Sequence, residues 1–358
     1  MSIWRWSQWL DTVPEHARIT LGEGNTPLVR SRHIGPAAGL SRLYFKLDFA
    51  TPTGSYKDRF AAAAVSHMVA AVQTRCVATS SGNTGSALAA YCAAAGIECR
   101  IAIVETAPEG KLQQMLAYGA KLARIRGFGI DPSVSSAVMD TVRRLGSQPG
   151  AAVQISAFAY SPLGMAGVKT IAYELNEQLG PQIDHVFCPA GGGGLVVAVA
   201  RGFDDLIRNG RIATAPRIEV VQPAGNDTIA TPLREMSAPR TVNCTTKVSG
   251  LQVPTVIDGG LALEAARSSG GTGHAVSDDE VWATQKRLAL EEGIFCEPAA
   301  ATALAGALAA ARDGWLARDA TVVCIVTGSG FKDQASIQRM LDGTTCPLIE
   351  VDDFARLS

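Results

Sequence analysis

Pro52-Thr53-Gly54-Ser55-Tyr56-Lys57-Asp58-Arg59 leads directly into Phe60-Ala61-Ala62-Ala63-Ala64-Val65. A Pro-Thr-Gly turn before an alanine-rich run predicts a helix that begins close to Lys57. A helix head leaves backbone N–H groups unpaired and carries the positive end of the dipole, so it disfavours an ammonium. Such a place suits a lysine that must be neutral to attack a carbonyl. Three turns follow in chain order: Ser80-Ser81-Gly82-Asn83-Thr84-Gly85, Gly191-Gly192-Gly193-Gly194 and Thr327-Gly328-Ser329-Gly330. Gly191–Gly194 come after the strand-like His185–Cys188 and before the apolar Leu195-Val196-Val197. Strand, glycine turn and helix head in succession form an anion cradle, because missing side chains let backbone N–H groups approach the ligand.

Bulk properties narrow the class. At 358 residues the chain exceeds one ordinary core, so two lobes are expected. The charged fraction of 18% is low and suits a large buried α/β interior. A net charge of −1 gives no electrostatic footprint for nucleic acid or an anionic membrane. No run approaches the ~20 apolar residues of a membrane span. Three Trp residues interrupt the first nine positions, unlike a signal-peptide core. The eight cysteines are scattered, without Cys-x-x-Cys or histidine pairing. They read as small buried hydrophobes in a reducing cytoplasm, and no metal site is expected. The five histidines are isolated in sequence.

Short β-rich runs alternate with helical patterns, the signature of parallel sheets covered by helices. Strands are predicted at 43–47, 76–79, 100–104, 121–125, 185–188, 217–221 and 321–326. Helices are predicted to start near Ser55, Thr84, Glu109, Pro132, Met165, Gly194, Asp258, Ser277, Pro298 and Lys332. Ser277 with Glu280 forms a capping box. Trp4, Trp6 and Trp9 suggest a packing or dimer-contact segment. Lys111, Lys169 and Lys332 read as helix-surface residues.

These motifs, together with Leu21-Gly22-Glu23-Gly24-Asn25-Thr26-Pro27-Leu28, Tyr118-Gly119-Ala120-Lys121 and Glu297-Pro298-Ala299, resemble the fold-type II pyridoxal-phosphate enzymes of the tryptophan synthase beta superfamily. Within them the chain is most similar to threonine synthases, over nearly its whole length. The resemblance implies an α/β fold of two open twisted sheets flanked by helices, with pyridoxal 5'-phosphate in the cleft between lobes. Residues 60–155 would form a smaller lobe inserted into a larger one made of 1–59 and 156–358, with no added regulatory domain. Lys57 would hold the cofactor aldehyde as a Schiff base and, once freed, act as base toward the substrate Cα proton. Gly191, Gly192, Gly193 and Gly194 would bind the cofactor phosphate, and Asn83 its phenolate oxygen. Thr327 would face the pyridine nitrogen. A hydroxyl there cannot keep that nitrogen protonated, which suits elimination and replacement better than transamination. Ser80, Ser81, Gly82 and Thr84 would bind the carboxylate of a small amino-acid substrate. A cytoplasmic homodimer is expected.

The default reaction is threonine formation from O-phosphohomoserine, by elimination and replacement at the β and γ carbons. Threonine synthases carry a polar Asn, Ser and Arg segment for the substrate phosphate. Here the arginine position aligns with Gly164, and Phe158 and Tyr160 are expected to make the pocket more apolar. That substitution points to an amino acid other than phosphohomoserine. A serine/threonine dehydratase is one alternative, favoured by the glycine loop. It is opposed by Thr84-Gly85, where many dehydratases show His-Ala-Gln. A β-replacement enzyme of the cysteine or cysteate synthase kind is another. A non-catalytic cofactor-binding paralogue is opposed by the joint presence of Lys57, Asn83, the glycine loop and Thr327.

Overall fold

The computed structural model describes residues 2–80, 82–107 and 109–354. Among the described residues, ten strands form two sheets. They are β1 (Leu28–Arg30), β2 (Arg42–Leu47), β3 (Arg75–Thr79), β4 (Glu98–Val104), β5 (Lys121–Ile125), β6 (Ala151–Val153), β7 (His185–Pro189), β8 (Arg217–Pro223), β9 (Gly273–Val276) and β10 (Thr321–Val326). The larger sheet runs β1-β2-β10-β7-β8-β9 and the smaller β5-β4-β3-β6. Every neighbouring pair is parallel except β1 with β2. The α/β class expected from sequence is therefore observed. β1, β6 and β9 were not expected; each spans only three or four residues and offers too little periodicity to read.

Strands β7 and β10 are buried at every position, which requires cover on both faces. Their side chains alternate between two cores. Val323 and Ile325 join one core with the helices Lys57–Ala70 and Gly194–Arg208. Val322, Cys324 and Val326 join the other with the helix Pro298–Arg312. The capping box at Ser277 and Glu280 is present. The helix expected near Met165 begins at Pro162, passes through a 3-10 turn and continues as Thr170–Leu179. The one expected near Lys332 begins at Gln334. Trp6 and Trp9 stack on each other and pack against Tyr173, closing the amino-terminal segment onto the helix Thr170–Leu179. The smaller sheet is drawn entirely from the span Arg75–Val153, and we propose 60–155 as the smaller lobe.

A buried ionic network joins the helix head to this framework. The Arg59 guanidinium donates to Asp48 just after β2 at 2.7 Å and to Glu174 of the helix Thr170–Leu179 at 2.6 Å. Lys46 of β2 donates to Glu174 at 2.7 Å and to the Thr26 carbonyl at 2.8 Å. All four charged groups are fully buried. Burial alone would raise the Glu174 carboxyl, but Arg59 and Lys46 overcome it and hold the group well below the usual carboxylate range. Removing one member strands the others' charges in the core. Glu174→Gln is expected to cost about 3–5 kcal/mol in urea unfolding at neutral pH. A loss below about 1 kcal/mol would show that the network does not hold the fold.

Candidate active site

The parallel strands of both sheets point their carboxyl ends at one cleft of about 1690 Å³. This is where open α/β sheets bind ligands. Lys57 is the first residue of the helix Lys57–Ala70. The preceding turn is fixed from several sides. The Thr53 amide and hydroxyl donate to the Asp58 carboxylate at 2.8 and 2.6 Å. The Tyr56 amide donates to the Thr327 carbonyl at 3.0 Å, and Ser55 bridges Gly328. Gly54 takes a φ of 84°, which a side chain would resist. Lys57 Nζ donates to the Tyr56 hydroxyl at 2.6 Å and lines the cleft. Burial raises the Asp58 carboxyl to about 6 despite the Thr53 hydrogen bonds.

Gly191, Gly192, Gly193 and Gly194 line the same cleft between β7 and the helix Gly194–Arg208. Gly193 has a φ of 93°, and a Cβ there would lie 2.9 Å from the Ala262 side chain. A Cβ on Gly194 would meet Met165 at 3.0 Å. The loop is thus a backbone cradle, closed to a side chain at Gly193 and tight at Gly194. Asp258 braces it from behind: its amide donates to the Gly192 carbonyl, and its carboxylate accepts from the Phe158 amide at 2.7 Å and the Ala159 amide at 3.2 Å. A glycine-lined helix head in reach of a lysine fits a phosphorylated aldehyde cofactor.

Asn83, Thr84, Ser80, Gly82 and Thr327 also line the cleft. Ser81 lies outside the described residues. The Ser80 hydroxyl accepts from the amides of Gly82 and Gly85 at 3.2 and 3.0 Å, so it shapes the turn. Thr84 shares a 2.8 Å hydrogen bond with Ser156. The Asn83 amide donates to Glu297 at 2.8 Å. Burial pushes the Glu297 carboxyl up to about 7, and the Lys111 and Lys332 charges only partly offset it.

Three sequence expectations change here. Gly164 does not line the cleft; a Cβ on it would meet the Phe60 ring at 2.7 Å and Ala64 at 2.8 Å. It is a contact point with the helix Lys57–Ala70, and its lack of a side chain does not empty an anion pocket. Phe158 and Tyr160 also lie off the cleft. Phe158 lies under the Arg201 guanidinium and Tyr160 bonds Arg143, so they do not make the pocket more apolar. Lys111 and Lys332 are cleft residues, not helix-surface ones. Lys332 is half-buried and donates to Gln114 at 2.5 Å, while burial lowers its basicity. Lys169 is likewise largely buried, on Asp205. His185 and His274, isolated in sequence, meet at the buried Glu219 at 2.8 and 3.1 Å, on strands β7 to β9.

Sequence reasoning missed Ser156, Gln114 and Asp258. Ser156 and Asp258 had no local signal, since their partners stand far away in sequence. Lys332 did carry one, because it lies two residues beyond Thr327-Gly328-Ser329-Gly330.

A family model described as "Pyridoxal-phosphate dependent enzyme" matches residues 19–328. The chain belongs to that family. Its cofactor is accordingly pyridoxal 5'-phosphate, and the fold is that of the fold-type II members. Threonine synthase of Methanocaldococcus jannaschii is 34% identical over 337 residues, covering 93% of this chain and 81% of the relative. Threonine synthase of Halalkalibacterium halodurans is 31% identical, with 96% and 94% covered. Among solved structures, threonine deaminase isoform 2 of Solanum lycopersicum superposes with a TM-score of 0.74 at 21% identity, covering 96% and 94%. The chain is a pyridoxal-phosphate-dependent lyase by this kinship.

Two outcomes test the geometry. Gly193→Ala should reduce cofactor retention by at least roughly tenfold, read from the absorbance of the bound cofactor after gel filtration. Unchanged retention would remove the loop from the phosphate site. Glu297 keeps its proton in the folded chain up to about pH 7, whereas the unfolded chain releases it near 4.5. Stability of the cofactor-free protein should therefore fall as pH rises across that window, by up to about 3 kcal/mol, and level off above it. Glu297→Gln should flatten this profile in urea titrations. Identical slopes for both proteins would contradict a protonated Glu297.

Proposed function

We propose that this chain is a threonine synthase-type lyase. In this reading it takes a small amino acid bearing a phosphate, O-phosphohomoserine by default, and carries out elimination and replacement along its side chain. The observation that carries the substrate reading is the charge of the cleft. Besides Lys57, it is lined by Lys111, Lys247, Lys332 and Arg339, against the two carboxyl residues Glu297 and Asp333. The cationic side chains outnumber the carboxyl groups even where Glu297 is ionised, so the cleft suits a dianionic group.

When bound, pyridoxal phosphate supplies an electron sink for charge developing at the substrate Cα. The rest falls to side chains. Lys57 Nζ would hold the cofactor aldehyde and then take the Cα proton. Gly191–Gly194 and the helix head behind them would bind the cofactor phosphate. Asn83 would orient the phenolate edge and Thr327 would face the ring nitrogen as a neutral partner. Ser80, Ser81, Gly82 and Thr84 would receive the substrate carboxylate at the head of the helix Asn83–Ala95. Lys332 and Lys111 would face the distal phosphate. We infer a cytoplasmic homodimer; the free thiols suit a reducing compartment.

Purified enzyme should convert O-phosphohomoserine to threonine and phosphate. Lys57→Ala should abolish turnover. Lys332→Met should raise KM for the phosphorylated substrate about tenfold with a smaller change in kcat. Production of a keto acid and ammonia from serine or threonine, with phosphohomoserine inert, would replace this reading by a dehydratase.

A further inference from the structure

Cys76 of β3, Cys92 of the helix Asn83–Ala95 and Cys99 of β4 come together inside the smaller lobe. Their three sulfur atoms lie within 4.8 Å of one another. Cys76 and Cys99 sit directly opposite each other on paired parallel strands, so both project from the same face of the sheet. The helix lays Cys92 over that face. All three are buried in the apolar core that also contains Ala78, Leu88 and Ile101.

This donor set is selective. Three sulfurs each about 2.3 Å from one centre would stand at most roughly 4 Å apart, inside the 4.8 Å that encloses the present cluster. Among the described residues, no histidine or carboxylate joins the group as a fourth ligand. Zinc favours four ligands, and three thiolates would leave it one negative charge in an apolar core. A monovalent soft ion such as Cu(I) would leave two. A trivalent centre bound by three thiolates has no net charge, and its lone pair fills the fourth position. The three thiols act on one another: Cys76 and Cys92 are pushed well up, in part by burial, while their contact lowers the Cys99 thiol.

We propose that Cys76, Cys92 and Cys99 form a trithiol binding site for a soft trivalent centre of the arsenite class. Arsenous acid would exchange three As–O bonds for three As–S bonds, the three thiol protons leaving with the hydroxyls as three waters. No electron is gained or lost. Entry would follow local opening of the smaller lobe. The occupied site would tie β3, β4 and the helix carrying Asn83 to one atom.

The test is arsenite titration of the reduced holoprotein. Native mass spectrometry should find one arsenic per chain with three hydrogens lost, and arsenic X-ray absorption should find three sulfur neighbours and no oxygen. The adduct should disappear in Cys92→Ala and in Cys99→Ala. It should persist in the double variant Cys244→Ala/Cys346→Ala, which lacks the two cysteines that are not buried. No adduct in the wild type, an oxygen neighbour in its absorption spectrum, or an adduct that survives loss of either cluster cysteine would overturn the proposal. The wild-type spectrum decides even where a variant fails to fold.

Discussion

The Arg59 guanidinium, gripped by Asp48 and Glu174, is the contact on which the site depends. It sits two residues beyond Lys57, on the first turn of the same helix. Its partners belong to the edge of β2 and to the helix Thr170–Leu179, two elements of the larger sheet's framework. Two cations and two carboxylates balance, so the cluster leaves no net charge in the core. Buried ion pairs seldom add net stability over apolar packing. What this one contributes is position: it ties the helix head to β2 and to the helix Thr170–Leu179 with Lys57 lining the cleft.

The neighbouring contacts extend the same constraint. Asp58 accepts from Thr53, and the Tyr56 amide donates to Thr327. The lysine turn and the end of β10 are therefore one rigid piece. On the far wall, Asn83 and Glu297 couple the helix Asn83–Ala95 to the helix head at Pro298. Lys111, Lys247, Lys332 and Arg339 outnumber Glu297 and Asp333 around the cleft, so it is cationic without the arginine expected at position 164.

Much of this was legible in the sequence because it is local. The Lys57 turn, the Gly191–Gly194 loop and the largely apolar β7 and β10 each occupy a handful of consecutive residues, and their physics is set by immediate neighbours. What failed to show was non-local. Asn83 and Glu297 stand 214 residues apart. Cys76, Cys92 and Cys99 belong to three elements, and no spacing rule brings them to one point. Gly164 misled because an alignment gives a residue's order and not its direction; only the backbone shows that its Cβ vector meets Phe60. Lys111 and Lys332 seemed solvated because helix and turn lysines usually are. The cleft is a product of the two sheets' arrangement, which no single segment encodes.

The most direct test of the account is to reduce the purified holoprotein with borohydride, digest it and map the pyridoxyl group. The account predicts one modified lysine, Lys57, since the Arg59 network aims that side chain into the cleft ahead of the others. Label on Lys332 or Lys111, or spread among the cleft lysines, would contradict it.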